Sequence, residues 1–111
     1  MSGEGSRHQE RIDHLKYSLD AKVWVYPGPG AWRFVTVPQD LSRRIEAMAP
    51  GPRPAFGSVR VTATVGATTW ATSLFPDKRT QGFLLPLKAD VRKREKIFDG
   101  DVVTIVLSLE L

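Results

Sequence analysis

From Tyr17 onward, apolar and polar residues alternate with a period of two over most of the chain, the spacing of strands that bury one face. Ser58 to Val65 is the cleanest stretch, with Val59, Val61, Ala63 and Val65 inward and Ser58, Arg60, Thr62 and Thr64 outward. Near the end, Val103, Ile105, Leu107 and Leu109 form an unbroken apolar face, and the opposite face is mixed. Tyr17 to Tyr26 predicts a first strand, with Leu19, Ala21, Val23 and Val25 on one side and Asp20, Lys22 and Trp24 on the other. Trp32 to Val37 predicts a second, joined to the first across the turn Pro27-Gly28-Pro29-Gly30. Thr69 to Phe75 returns from Ser58–Val65 through a tight Gly66-Ala67 turn. Phe83, Leu85 and Leu87 mark a further strand. Its Pro86 lacks an N–H, which predicts an edge strand or a bulge.

Two segments break this period. After Pro38, Leu41, Ile45 and Met48 recur at spacings of four and three, the stripe of a short helix facing the core. Asp90 predicts the cap of a second short helix, Val91 to Lys96, with Gly100 in a left-handed position after it. The sum is a mainly β fold, a small closed or nearly closed six-stranded barrel with two short helices, since short strands close to hide their edges. Residues 1–16 are polar and charged and predict a flexible tail, leaving 17–111 as one barrel domain. Ala49 to Gly57 predicts a Pro-rich loop restrained by its prolines.

Composition excludes more than it suggests. The 111 residues include no cysteine, which removes disulfides, thiolate metal sites and a Cys nucleophile together. The two histidines, His8 and His14, stand in the polar tail, so neither a metal site nor a Ser–His pair is predicted. Ser73 therefore lacks a base other than Lys78 or Lys88, and Asp99 and Asp101 lack the burial that would tune them for acid–base work. No cofactor fingerprint, secretory leader or membrane-length apolar run is present, and the expectation is a cytoplasmic, non-enzymatic protein with no membrane partner.

Charge changes the picture locally. The net charge is +4, and Lys78, Arg79, Lys88, Arg92, Lys93, Arg94 and Lys96 fall within nineteen residues. Lysine and arginine on one element release counterions from a polyanion and position a protein on it. The bland alternative is a solvated helix face pairing with Asp90 and Glu95, with Lys88 and Arg92 held by Asp99 or Asp101. Trp24, Trp32 and Trp70 are candidate stacking platforms. Trp24 is favoured for its outer face, whereas Trp32 and Trp70 are expected to plug the barrel or cover an end. The candidate anion- or ligand-binding set is thus Lys78, Lys88, Arg92, Lys93, Arg94, Lys96, Trp24, Trp70 and Ser73. Three readings stay open: a module binding nucleic acid or another anionic ligand, an assembly domain pairing an exposed strand edge with another copy or a separate partner domain, and a small-ligand pocket or enzyme at the barrel mouth lined by Trp70, Ser73, Lys78, Lys88 and Arg92.

The segments AWRFVTVP, FGSVRVTATVGATTWATSLFPDK, GFLLPLKADVR and GDVVTIVLSL, in this order, resemble a family of small prokaryotic domains of unknown function, often fused to a YdeI/OmpD-associated domain. The resemblance covers Tyr17 to Leu111 and implies a six-stranded barrel related to the double-split type, with no activity attached. A weaker likeness, confined to residues 83–109, is to AbrB/MazE-like swapped-hairpin regulators; the spacing from Pro86 to Arg92 is about two residues longer than theirs, and shared layout does not carry shared function.

Overall fold

The fold comes from a computed structural model that describes residues 16–49 and 57–110. The expected tail up to Leu15, with both histidines, and most of the Pro-rich loop lie outside the described residues. The elements are β1 (Lys16–Lys22), β2 (Trp24–Val25), β3 (Arg33–Thr36), α1 (Gln39–Met48), β4 (Val59–Val65), β5 (Thr68–Asp77), β6 (Gly82–Pro86), α2 (Ala89–Glu95) and β7 (Val102–Leu109). The strands form one antiparallel seven-stranded sheet in the order β1-β7-β4-β5-β6-β3-β2.

The sheet curls into a half-barrel, not the closed six-stranded barrel expected. The cause lies at Val23, where the single first strand read from the sequence divides. The Val23 N–H donates to Asp101 O at 2.8 Å, and the Gly100 N–H donates to Val23 O at 2.9 Å. Before this clasp β1 pairs with β7; after it β2 pairs with β3. Val25, expected inward, is consequently exposed. The ten-residue β5 makes the second bend, pairing with β4 up to Leu74 and with β6 from Phe75.

Strand alternation fills the interior as expected. Val61, Ala63, Leu74, Leu85, Ile105 and Leu107 are completely buried. Each large aliphatic among them contributes roughly 1.5–3 kcal/mol by leaving water. Helix α1 closes one side with Leu41 and Ile45 buried and Met48 half-buried. Buried Ser42 ties it to the sheet: its Oγ donates to Val37 O at 3.3 Å and accepts from the Phe83 N–H at 3.2 Å.

Two local expectations are corrected and a third is refined. Strand β6 lies inside the sheet, between β5 and β3, so Pro86 does not mark an edge. Pairing with β5 stops at Leu84 and Pro86 is the last residue of β6, so no donor is missed there. Asp90 is not the cap of α2; Lys88 holds that position without a side-chain bond, and Asp90 accepts from the adjacent Val91 N–H at 3.0 Å. Gly100 is left-handed after α2 as expected, but the residue that ends the helix is Lys96, itself left-handed at φ +55°. This lets the N–H of buried Ile97 reach Arg92 O at 2.9 Å. Gly100 has φ +88° within the turn that clasps Val23, where glycine meets no steric penalty.

Candidate functional site

The outer face of the β2-β3-β6-β5 wall carries rings where an antiparallel sheet normally carries polar residues. Trp24 stands opposite Phe34, Phe34 opposite Pro86, and Leu84 opposite Phe75. Beside them the Tyr26 N–H donates to Trp32 O at 2.7 Å, which sets Tyr26 next to Trp32. The rings pack on one another: Trp24 and Phe34 have centroids 5.5 Å apart, and Trp32 lies nearly parallel to Phe34 at 6.5 Å. Trp32 is 59% exposed, Tyr26 48% and Phe75 43%, so the face is open to solvent. Such a contiguous apolar patch, unlike scattered single residues, marks a surface built to touch something.

Three grooves run end to end from this face. The first, about 390 Å³, is lined by Tyr26, Trp32, Phe34, Phe75, Leu84 and Pro86. It shares Trp32 and Pro86 with a second, about 310 Å³, which also takes Arg33, Lys88 and Arg92. That groove shares Ala89 and Arg92 with a third, about 320 Å³, lined further by Lys93, Lys96 and Phe98. An aromatic stretch thus passes into a cationic one and ends near Phe98, which is 69% exposed.

The cations differ in how they are held. Arg33 is bound to Asp99 through two parallel hydrogen bonds, Nε to Oδ1 at 2.9 Å and Nη2 to Oδ2 at 3.1 Å. Its hydrogen bond holds the Asp99 carboxyl below the usual carboxylate range, and the positive field of Arg33 and Arg92 acts in the same direction. Arg92 is half-buried and its Nε donates to Leu87 O at 3.1 Å. The expected pairing of Lys88 or Arg92 by Asp99 or Asp101 is not found: Asp99 holds Arg33, and Asp101 Oδ2 accepts from the Phe98 N–H at 2.8 Å. Nor do Asp90 and Glu95 form an ion pair with a cation of α2 among the described residues. Asp90 bonds a backbone N–H and Glu95 accepts from Thr68 Oγ1 at 2.6 Å. Lys88, Lys93, Arg94 and Lys96 are exposed and form no ion pair among the described residues.

The remaining sequence candidates scatter. Lys78 lines a separate cavity of about 510 Å³ with Glu46, Pro76, Gln81 and Phe83. Ser73 is half-buried on β5, opposite Arg60. Trp70 packs against the core from β5, and its indole N–H has no hydrogen-bond partner among the described residues. The pocket expected from Trp70, Ser73, Lys78, Lys88 and Arg92 is therefore not formed: Lys78 lines one cavity, Lys88 and Arg92 another. Trp24 faces outward as expected but sits on the other wall from Asp20 and Lys22, with its Nε1 donating to Thr36 Oγ1 at 3.0 Å and the Arg79 guanidinium 5.6 Å from its ring centre. Trp32, expected to plug the barrel or cover an end, is the most exposed of the three tryptophans, because Val35 on β3 and Val37 just after it take the inward positions. Sequence reasoning missed Arg33, Tyr26, Phe34, Phe75 and Phe98, and gave Asp99 to Lys88 or Arg92 in place of Arg33. The available signal was parity: in AWRFVTVP the valines and the rings occupy opposite faces.

A family model for a domain of unknown function, DUF1905, matches residues 20–107. The chain belongs to this family. No curated protein matches it. In this DUF1905 chain, no group of three or more histidine, aspartate or glutamate side chains among the described residues is arranged to hold a metal ion. No described helix is long and apolar enough to cross a membrane. What the DUF1905 half-barrel displays is a ring-covered wall joined to a lysine- and arginine-bearing rim.

Proposed function

We propose that this domain is a non-enzymatic binding module for an extended anionic partner, held along the three joined grooves. One observation carries the reading: Lys88, Arg92, Lys93 and Lys96 line consecutive grooves and form no ion pair among the described residues, Asp99 being held by Arg33 while Arg92 acts on it only through its field. Cations left unpaired on one continuous track are available to displace the counterions of a polyanion. Four such contacts give a log–log salt slope of about −3 for a single strand. Binding of the 17–111 domain to labelled polyanions at increasing salt tests this. Steep loss of affinity with salt, and its abolition in the K88E/K93E/K96E variant, are expected; flat, negligible affinity at low salt removes the reading.

A second reading, assembly with another copy, is favoured by the open rings of Tyr26, Trp32 and Phe75. It would use this sheet face or the edge of β1, seven residues long, since the edge of β2 at the other end of the sheet is only two residues long. Light scattering separates the two: a strict monomer at high concentration leaves the anionic partner alone.

A further inference from the structure

We infer that the anionic partner is single-stranded nucleic acid, with Trp32 as the central stacking platform; this rests on the anionic reading above and narrows it. The argument is the order of chemistry along the track. A partner with charge alone needs only the rim of Lys88, Arg92, Lys93 and Lys96, and a partner with flat apolar groups alone needs only the ring-covered wall. The grooves join the two at Trp32 and Pro86 and continue to Phe98. A chain that alternates anionic groups with flat rings fits this sequence of surfaces. Single strands supply it, because their bases are free to splay and stack on aromatic side chains while a basic groove follows the backbone. A duplex hides its base faces and offers phosphates, sugars and base edges, none of which stacks on an indole.

Trp32 is held for this task. It lies within 16° of parallel to Phe34 behind it. Gly30 lets the backbone pass beneath the indole: a Cβ there would stand 2.9 Å from Trp32 Nε1, and Gly30 adopts φ +88°. On the cationic side, Arg33 is fixed by Asp99 and by its bond to Ala31 O, so it forms the groove floor and leaves phosphates to the unpaired lysines and Arg92.

The test compares four labelled probes at low salt by fluorescence anisotropy: oligodeoxythymidylate, oligouridylate, a DNA duplex of equal length, and linear polyphosphate. The expected result is that single strands bind more tightly than duplex or polyphosphate by about tenfold or more, with quenching of tryptophan fluorescence. Trp32→Ala is expected to lose about tenfold in single-strand affinity and nothing toward polyphosphate, while Trp32→Phe retains most of it. Whichever sugar binds more tightly names the natural strand. Trp32 is mostly exposed, so the variant folds, and a thermal melt checks this. Equal binding of polyphosphate and single strands, with Trp32→Ala silent, overturns this inference and leaves the anionic reading standing. No binding to any probe overturns both, and a dimer dissolved by Trp32→Ala assigns the rings to a second copy instead.

Discussion

Arg33 on β3 grips both carboxylate oxygens of Asp99, 66 residues away, at 2.9 and 3.1 Å. The contact joins the outer end of the β3 strand to the turn that enters β7. That same turn clasps Val23, so one acidic-glycine-acidic segment, Asp99-Gly100-Asp101, fastens both walls of the half-barrel.

This pair sets an acid response. Asp99 titrates below its ordinary range, first because Arg33 hydrogen-bonds its charged form. A carboxylate whose folded pKa is depressed adds stability that is present above its unfolded pKa, about 4, and is lost as pH falls through the lower folded value. Asp99→Asn should be less stable than the parent at neutral pH, and the gap should close as pH falls below about 4 and Asp99 of the parent protonates. The pair is exposed, so the gap is small and shrinks with salt. Urea unfolding across the acid range checks the sign.

Gly66 is predicted to resist any side chain. It has φ +57°, and a Cβ there would collide with Glu95 Oε1, whose carboxylate accepts from Thr68 Oγ1. Gly66→Ala should cost about 1–2 kcal/mol from the left-handed backbone, plus part of the Glu95 bond. In a Glu95→Ala background the collision is gone, and the same substitution should cost less. The non-additivity in a double-mutant unfolding cycle measures the difference.

Ser42→Ala removes the hydroxyl that accepts from the buried Phe83 N–H. An orphaned buried donor costs roughly 1–3 kcal/mol, so the variant should unfold at lower urea with an unchanged slope. Faster hydrogen exchange at Phe83 would locate the loss.

Lys96 pays for its left-handed backbone with a side chain that glycine lacks. Lys96→Gly should therefore be neutral to stabilising, by up to about 1 kcal/mol. The same variant should bind polyanions more weakly. Melting temperature and anisotropy moving in opposite directions would show the residue serving the surface and not the fold.

Much of the architecture was legible because it is local. Period-two alternation placed β4 and β7, the spacing of Leu41, Ile45 and Met48 placed α1, and Gly66-Ala67 placed its hairpin turn. The charge of the future rim was equally plain in Lys88 to Lys96. The ring-covered wall was not. In Trp32–Val37 each face carries two large apolar residues and one polar one, so alternation separates the rings from the valines without saying which set is buried; the valines are.

The order of residues along the chain set which segments are strands, which face of most strands is apolar, and where the lysines and arginines cluster, since each follows from neighbours within a few positions. The folded arrangement settled that the first strand breaks at Val23, that Arg33 belongs to Asp99, and that Trp32 stands in water beside Lys88. It also settled that Asp90 and Glu95 leave the lysines of the rim without an ion pair among the described residues. The first three outcomes depend on hydrogen bonds and packing between residues about 55 to 80 positions apart, where the cost of closing the loop is met by contacts that no local pattern encodes.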